Sequence, residues 1–178
     1  MQTPIHKSKN LQCKHWYILK TKSNFEKKVN ESLQQQGFTT YLPTYITLRI
    51  WSDRKKKIES SLLPSYVFVN CDANELIAAA KTTGVAWIMH EQKKYAIVKD
   101  YEIQNLRIFL SEKVEINDDN LDNYEVGETI KVTNGPFSGL IGTALNYQSD
   151  YRVRIEISSL GADFTISVPK SQLEKIIT

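Results

Sequence analysis

No stretch of this chain approaches the roughly 18 consecutive apolar residues that a membrane-crossing helix needs. Its first ten residues are polar and lack the apolar core of a secretion signal. Both absences make a cytoplasmic protein without membrane contact the expectation. Cysteine is scarce, with Cys13 and Cys71 the two in the chain, and in a reducing compartment they are expected as free thiols. The three histidines, His6, His15 and His90, are scattered. Cys13-x-His15 has no second pair at zinc-finger spacing, so no metal is expected. The loop Gly135-Pro136-Phe137-Ser138-Gly139 lacks the Lys-Ser/Thr of a phosphate-binding loop. Without a nucleophile, an acid–base pair or a ligand cluster at workable spacing, the chain reads as a binding protein without a cofactor, not an enzyme.

Charge is plentiful and unevenly placed. The net charge is +3, but residues 1–115 carry +7 and residues 116–178 carry −4. A basic front and an acidic back suggest two units with different partners, the basic one nearer to nucleic acid.

Residues 1–14 read as a disordered tail. His15 to Lys20 is rich in aromatic and β-branched side chains and predicts a strand. Ser23-x-x-Glu26 has the form of a capping box, opening a helix whose apolar stripe is Phe25, Val29 and Leu33 and which Gly37 ends. Phe38 to Ile50 is predicted to be extended, Trp51 to Lys57 a polar hairpin tip, and Ile58 to Asn70 a returning strand. Its run Tyr66-Val67-Phe68-Val69 lacks alternation, which implies a position inside the sheet. Asp72-x-x-Glu75 predicts a second capping box and a short helix to Thr82. Val85–Met89 and Tyr95–Val98 then read as short strands, and Asp100 as the cap of a third helix bearing Ile103, Leu106, Phe109 and Leu110. The first 112 residues thus read as an α/β sandwich, helices packed on a mainly antiparallel sheet.

Residues 113–125 hold several acidic residues and little to bury, and read as an acidic linker. Beyond them come only short strand-like segments: Thr129–Thr133, Leu140–Asn146, Arg152–Ile157 and Phe164–Val168. About 50 such residues bury a core by curling into a small barrel. Gly142 is expected at a tight bend where a side chain would clash.

Four segments together resemble the NusG family of transcription elongation factors. They are Trp16-Tyr17-Ile18-Leu19 with Glu26-Lys27-Lys28-Val29; Leu42-Pro43-Thr44; Leu63-Pro64-Ser65-Tyr66-Val67-Phe68-Val69 with Thr83-Gly84-Val85; and Val126 to Val132 with Asn134 to Gly142, which looks like a KOW motif. The resemblance spans roughly residues 15–178. It implies an α+β protein: an NGN-type α/β sandwich over 15–112 and an SH3-like KOW β-barrel over 126–178. It also implies binding to the clamp helices of RNA polymerase through an apolar patch of Leu63, Tyr66, Phe68 and Ile88, with Lys20 beside it. Lys20, Lys22, Lys27 and the tip residues Arg54, Lys55, Lys56 and Lys57 become candidates for contact with non-template or upstream DNA. Phe137, Leu140 and Leu160 become a partner surface on the barrel, with ribosomal protein S10 one expected partner, and the chain is expected as a monomer.

Two features resemble the specialised UpxY and RfaH group of antiterminators, of which the UpxY members act on capsular polysaccharide operons. One is the short connection Gly37 to Tyr41; the other is the segment Val98 to Leu106. Two alternatives stand beside this reading: a housekeeping NusG-type elongation and termination factor, and a KOW-containing RNA- or ribosome-binding module.

Overall fold

A computed structural model of the chain describes residues 13–50, 55–111, 127–145 and 151–176. Most of the expected tail, the tip residues Trp51 to Arg54 and the expected linker lie outside them. The architecture is α+β.

Strand β1 (His15–Thr21) leads to helix α1 (Glu26–Gln35), then β2 (Thr39–Tyr41), β3 (Thr44–Ile50), β4 (Lys55–Ser61) and β5 (Tyr66–Cys71). Helix α2 (Ala73–Ala80) follows, then β6 (Val85–Ile88), β7 (His90–Glu91), β8 (Lys94–Tyr95), β9 (Ile97–Val98) and helix α3 (Asp100–Ser111). The main sheet runs β2-β5-β1-β6, with β9 also on β1, and every pairing in it is antiparallel. As its unbroken apolar run implied, β5 is interior.

Side chains alternate across a strand, and the sheet consequently carries a core on each face. On one face Tyr17, Leu19, Val67 and Val69 meet Val29 and Leu33 of α1 and Leu76 and Ala79 of α2. On the other, Trp16, Ile18 and Phe68 meet Ile103 and Leu106 of α3. The β3–β4 ribbon forms its own two-stranded sheet.

Several local expectations are corrected. The residue before α1 is Phe25, with no side-chain cap; Ser23 takes no part. Glu26 instead accepts a hydrogen bond from the Ser65 N–H at 2.6 Å. Ser65, just before β5, sits at φ 65°, and Glu26 is the acceptor for its N–H. At α3 the acid that turns back is Glu102, which accepts from the Lys99 N–H at 2.8 Å, while Asp100 is already helical. The predicted strand Ile58–Asn70 is two strands, broken around Pro64, and Lys55, Lys56 and Lys57 stand in β4 instead of a tip. The Asp72 capping box is present as predicted, with Asp72 accepting from Asn74 and Glu75 and Glu75 accepting from Asp72.

The second unit is a five-stranded antiparallel sheet: β10 (Thr129–Val132), β11 (Ile141–Leu145), β12 (Tyr151–Ile157), β13 (Ala162–Val168) and β14 (Leu173–Lys175), in the order β13-β12-β11-β10-β14. Its core gathers Ile130, Val132, Leu140, Val153, Ile155, Ile166 and Val168. Gly142 lies within β11, not at a bend. A Cβ there would still strike the Arg154 carbonyl oxygen and approach Val153 Cγ1 to 2.7 Å, so the neighbouring strand itself demands glycine.

The two units touch through α3, which buries residues in both cores. Ile103 and Leu106 belong to the first, and Phe109 to the second, 5.3 Å from Phe164 between ring centroids. Ile157 of β12 returns the exchange by packing in the first core. Glu102 accepts the Ser158 N–H at 3.2 Å, and Ser159 Oγ donates to the Ile97 carbonyl at 2.9 Å.

Candidate functional site

The site takes its shape from one row across the main sheet. Lys20 of β1 stands in register with Tyr66 of β5 on one side and Trp87 of β6 on the other. Residues in register project from the same face, here the face of Ile18 and Phe68. Lys20 Nζ lies 3.9 Å from the Tyr66 ring centroid, a cation–π contact. Trp87 is 57% exposed on a terminal strand. The β1–β6 register shifts between Lys20 and Thr21, an irregularity in the ladder beside this row. Two backbone hydrogen bonds tie this end to its neighbours: Thr21 N–H to the Ser65 carbonyl and Lys22 N–H to the Gly84 carbonyl, both at 2.9 Å.

Of the residues expected at a polymerase patch, the structure brings four to this face. Lys20 and Tyr66 are partly exposed; Leu63 and Phe68 are buried, Phe68 completely. Tyr41 stacks on Phe68 at 6.3 Å, and the Arg107 guanidinium lies 5.2 Å from the Tyr41 ring and 5.8 Å from that of Trp16. Burial pushes the Tyr41 hydroxyl up to about 12 against the opposing pull of Arg107. Ile88 is parted from the others. It pairs with Leu19 and packs in the core on the opposite face. The single-residue step from 88 to 87 reverses the face, so Trp87, and not Ile88, shares the face of Lys20 and Tyr66.

The expected nucleic-acid residues are dispersed. Lys22 is exposed beside the row, and Lys57 is exposed on the ribbon. Lys27 is engaged with Glu59 at 2.7 Å. That bond, with a second from Thr44, holds the Glu59 carboxyl below its ordinary range although burial opposes it. Arg54 lies outside the described residues, and Lys55 and Lys56 occupy β4.

In the second unit, Leu140 is fully buried rather than exposed on a loop. It belongs to the same core cluster as Ile130, Val132, Val153 and Ile155. Phe137 is half-buried against the same core. Leu160 packs against the core of the first unit. Trp87, Arg107, Glu102 and Asn105 were not singled out from sequence. The alternation of β6 was the available signal for Trp87; the buried polar pair on α3 has none, because its partners lie in the second unit.

The family model described as transcription termination factor nusG matches residues 14–107. The transcription termination/antitermination protein NusG of Rickettsia conorii is 26% identical over 184 residues, covering 96% of this chain and 95% of that protein. Its counterpart in Helicobacter pylori strain 26695 is 24% identical over 175 residues, covering 91% and 98%. A solved NusG chain from Thermotoga maritima is 24% identical, covers 92% of this chain and 98% of that one, and superposes with a TM-score of 0.45.

Proposed function

The chain belongs to the NusG family, and from that premise we propose that it is an antitermination and elongation factor that binds RNA polymerase through its first unit and promotes processive transcription of long operons, capsular polysaccharide operons among them. The observation that carries the polymerase contact is the exposed end of the Phe68 face. An aromatic ring held under a lysine, continuous with buried apolar side chains, is the hot-spot arrangement that receives an apolar helix. Reaching Leu63 and Phe68 themselves requires α3 and the second unit to move aside.

Lys20, Lys22 and Lys57 supply charge for the non-template strand or upstream duplex. Of Phe137, Leu140 and Leu160, the half-buried Phe137, in the turn between β10 and β11, is the residue offered to a further partner such as ribosomal protein S10. The short Gly37–Tyr41 connection and the Val98–Leu106 segment support the specialised branch.

The test is co-purification with RNA polymerase, comparing wild type with Tyr66→Ala and Lys20→Glu. Loss of polymerase from both folded variants supports the site, and full retention in both overturns it. Run-through transcription on templates with and without a capsule-operon leader then tests the branch. A second reading, the general elongation and termination factor, is favoured by the names of the Rickettsia and Helicobacter relatives. Leader-independent run-through, or enhanced termination, decides for it. Salt-sensitive binding of naked RNA without polymerase would instead indicate an RNA- or ribosome-binding module.

A further inference from the structure

The β3–β4 ribbon stands outside the packing that fixes the rest of the first unit. Among the described residues neither strand contributes a side chain to the three buried cores, and no ladder joins the ribbon to the main sheet. Burial therefore does not set its direction. Among the described residues, one side chain from outside the ribbon hydrogen-bonds to it. Lys27 of α1 donates from Nζ to Glu59 Oε2 at 2.7 Å and to the Glu59 carbonyl at 3.2 Å. Thr44 of β3 donates to the other carboxylate oxygen, Glu59 Oε1, at 2.8 Å. Each oxygen of one carboxylate thus serves a different element, and Glu59 joins both strands of the ribbon to the helix. The helix itself is fixed, with Val29 and Leu33 fully buried. Its preceding residue, Glu26, accepts from Ser65 on the connection that leaves the ribbon for β5. Two consecutive residues in the first turn of α1 therefore grip the ribbon and its exit. A cation in that turn meets the positive end of the helix dipole, and the Glu59 carboxylate offsets that cost for Lys27.

We infer that Lys27 is a positioning residue: through Glu59 it holds the ribbon at a set angle to α1 and so aims the end of the ribbon that carries Lys55, Lys56 and Lys57. The assignment takes Lys27 out of the set of expected nucleic-acid contacts. Its consequence for transcription rests on the proposed function, whereas its consequence for the ribbon does not. An ion pair whose two side chains are both 52% exposed adds little to folding stability. Its leverage is directional. Lys55 stands four residues beyond Glu59, about 13 Å along the strand, so a small swing at the pair becomes a large displacement at that end. Thr44 keeps the carboxylate from turning away from the helix. The bonds from Lys27 and then Thr44 hold the Glu59 carboxyl below its ordinary range, so it stays an anionic acceptor for Lys27.

The test measures the direction of the ribbon in the full chain. Nitroxide labels at K57C and Q34C, both exposed positions, report the distance between ribbon and helix by electron–electron double resonance. A C13S background leaves Cys71, which is buried, as the remaining native thiol. The expected result is one narrow distance with the Lys27–Glu59 pair intact, loss of it in K27Q and in E59Q, and its return in the swapped pair K27E/E59K. Denaturation midpoints should stay close throughout, which separates direction from folding. An unchanged distance distribution in both single variants overturns the inference, and so does a swapped pair as broad as the singles. A large midpoint drop in K27Q or E59Q overturns it in favour of a role in folding. Run-through transcription and polymerase co-purification follow on the unlabelled variants. Reduced run-through in both single variants with polymerase retained, restored by the swap, supports the positioning role. Reduction in K27Q alone, not restored by the swap, overturns it in favour of a direct contact by the lysine. Swap-dependent distances in a chain that binds no polymerase support the positioning of the ribbon and sink the polymerase reading.

Discussion

The side chain of Asn105 on α3 meets the backbone of Ile141 in both directions. Its Nδ2 donates to the Ile141 carbonyl at 2.5 Å, and its Oδ1 accepts the Ile141 N–H at 3.0 Å. One amide thus serves as a strand neighbour at the start of β11 and joins the two units of the chain. Asn105 is almost wholly buried, which keeps water from competing for these bonds.

Asn105→Ala leaves both backbone groups of Ile141 without their partner in a dry contact. A stability loss of about 1–3 kcal/mol is expected, together with faster amide exchange at Ile141. Hydrogen exchange read residue by residue checks this; unchanged protection at Ile141 would show that the contact contributes nothing.

Phe68→Ala is expected to act on folding before it acts on binding. The side chain is fully buried between Ile18, Tyr41 and the residues of α3, and removing such a ring costs about 3–5 kcal/mol. Chemical denaturation should show a large drop in midpoint. A midpoint within error of wild type would mean that Phe68 is not a core residue.

Two glycines separate steric from conformational cost. Gly142→Ala drives a Cβ into the Arg154 carbonyl and is expected to destabilise by about 1–3 kcal/mol. Gly37→Ala meets open space and carries only the cost of φ 88°, about 1 kcal/mol. Thermal unfolding of the two variants ranks them, and an equal or reversed ranking would contradict the packing of β11 on β12.

Thiol chemistry gives a pH-dependent test. Cys13 is exposed and Cys71 buried, so a thiol reagent should label one cysteine in the native protein and both after unfolding. Burial first, then the charges of Glu75 and Asp72, push the Cys71 thiol from 9.0 up to about 12. The unfolded chain therefore loses this proton first. The contribution of the neutral thiol is complete below pH 9.0 and disappears as pH rises towards about 12. Tyr41 acts in the same sense between 10.0 and about 12. Lysines titrate in the same range, so the comparison that isolates the thiol is wild type against Cys71→Ala. Their stability difference should shrink across that window, and a constant difference would rule out the linkage.

Much of the first unit was legible because its signals are local. The Asp72 box, the Val29 and Leu33 stripe and the apolar run of β5 each depend on residues a few positions apart. The Ser23 box failed for the complementary reason: Glu26 found a distant partner, the Ser65 amide, which no local pattern records. The residues expected to form one patch are divided between two faces of the sheet. Ile88 was grouped with Phe68, and the period of two in β6 turns it to the other core. The basic tip was partly displaced because the strand pairing of β3 and β4 extends through Lys55.

By itself the sequence determined the order of elements, the charge division between the two units and the scarcity of metal-binding and nucleophilic residues, since composition and short periodicities carry them. Only the tertiary structure decided which apolar residues stay reachable. That depends on which face of the sheet each side chain takes and on what α3 and the second unit lay over it. Register and long-range packing set both, and neither is written in any short stretch of chain.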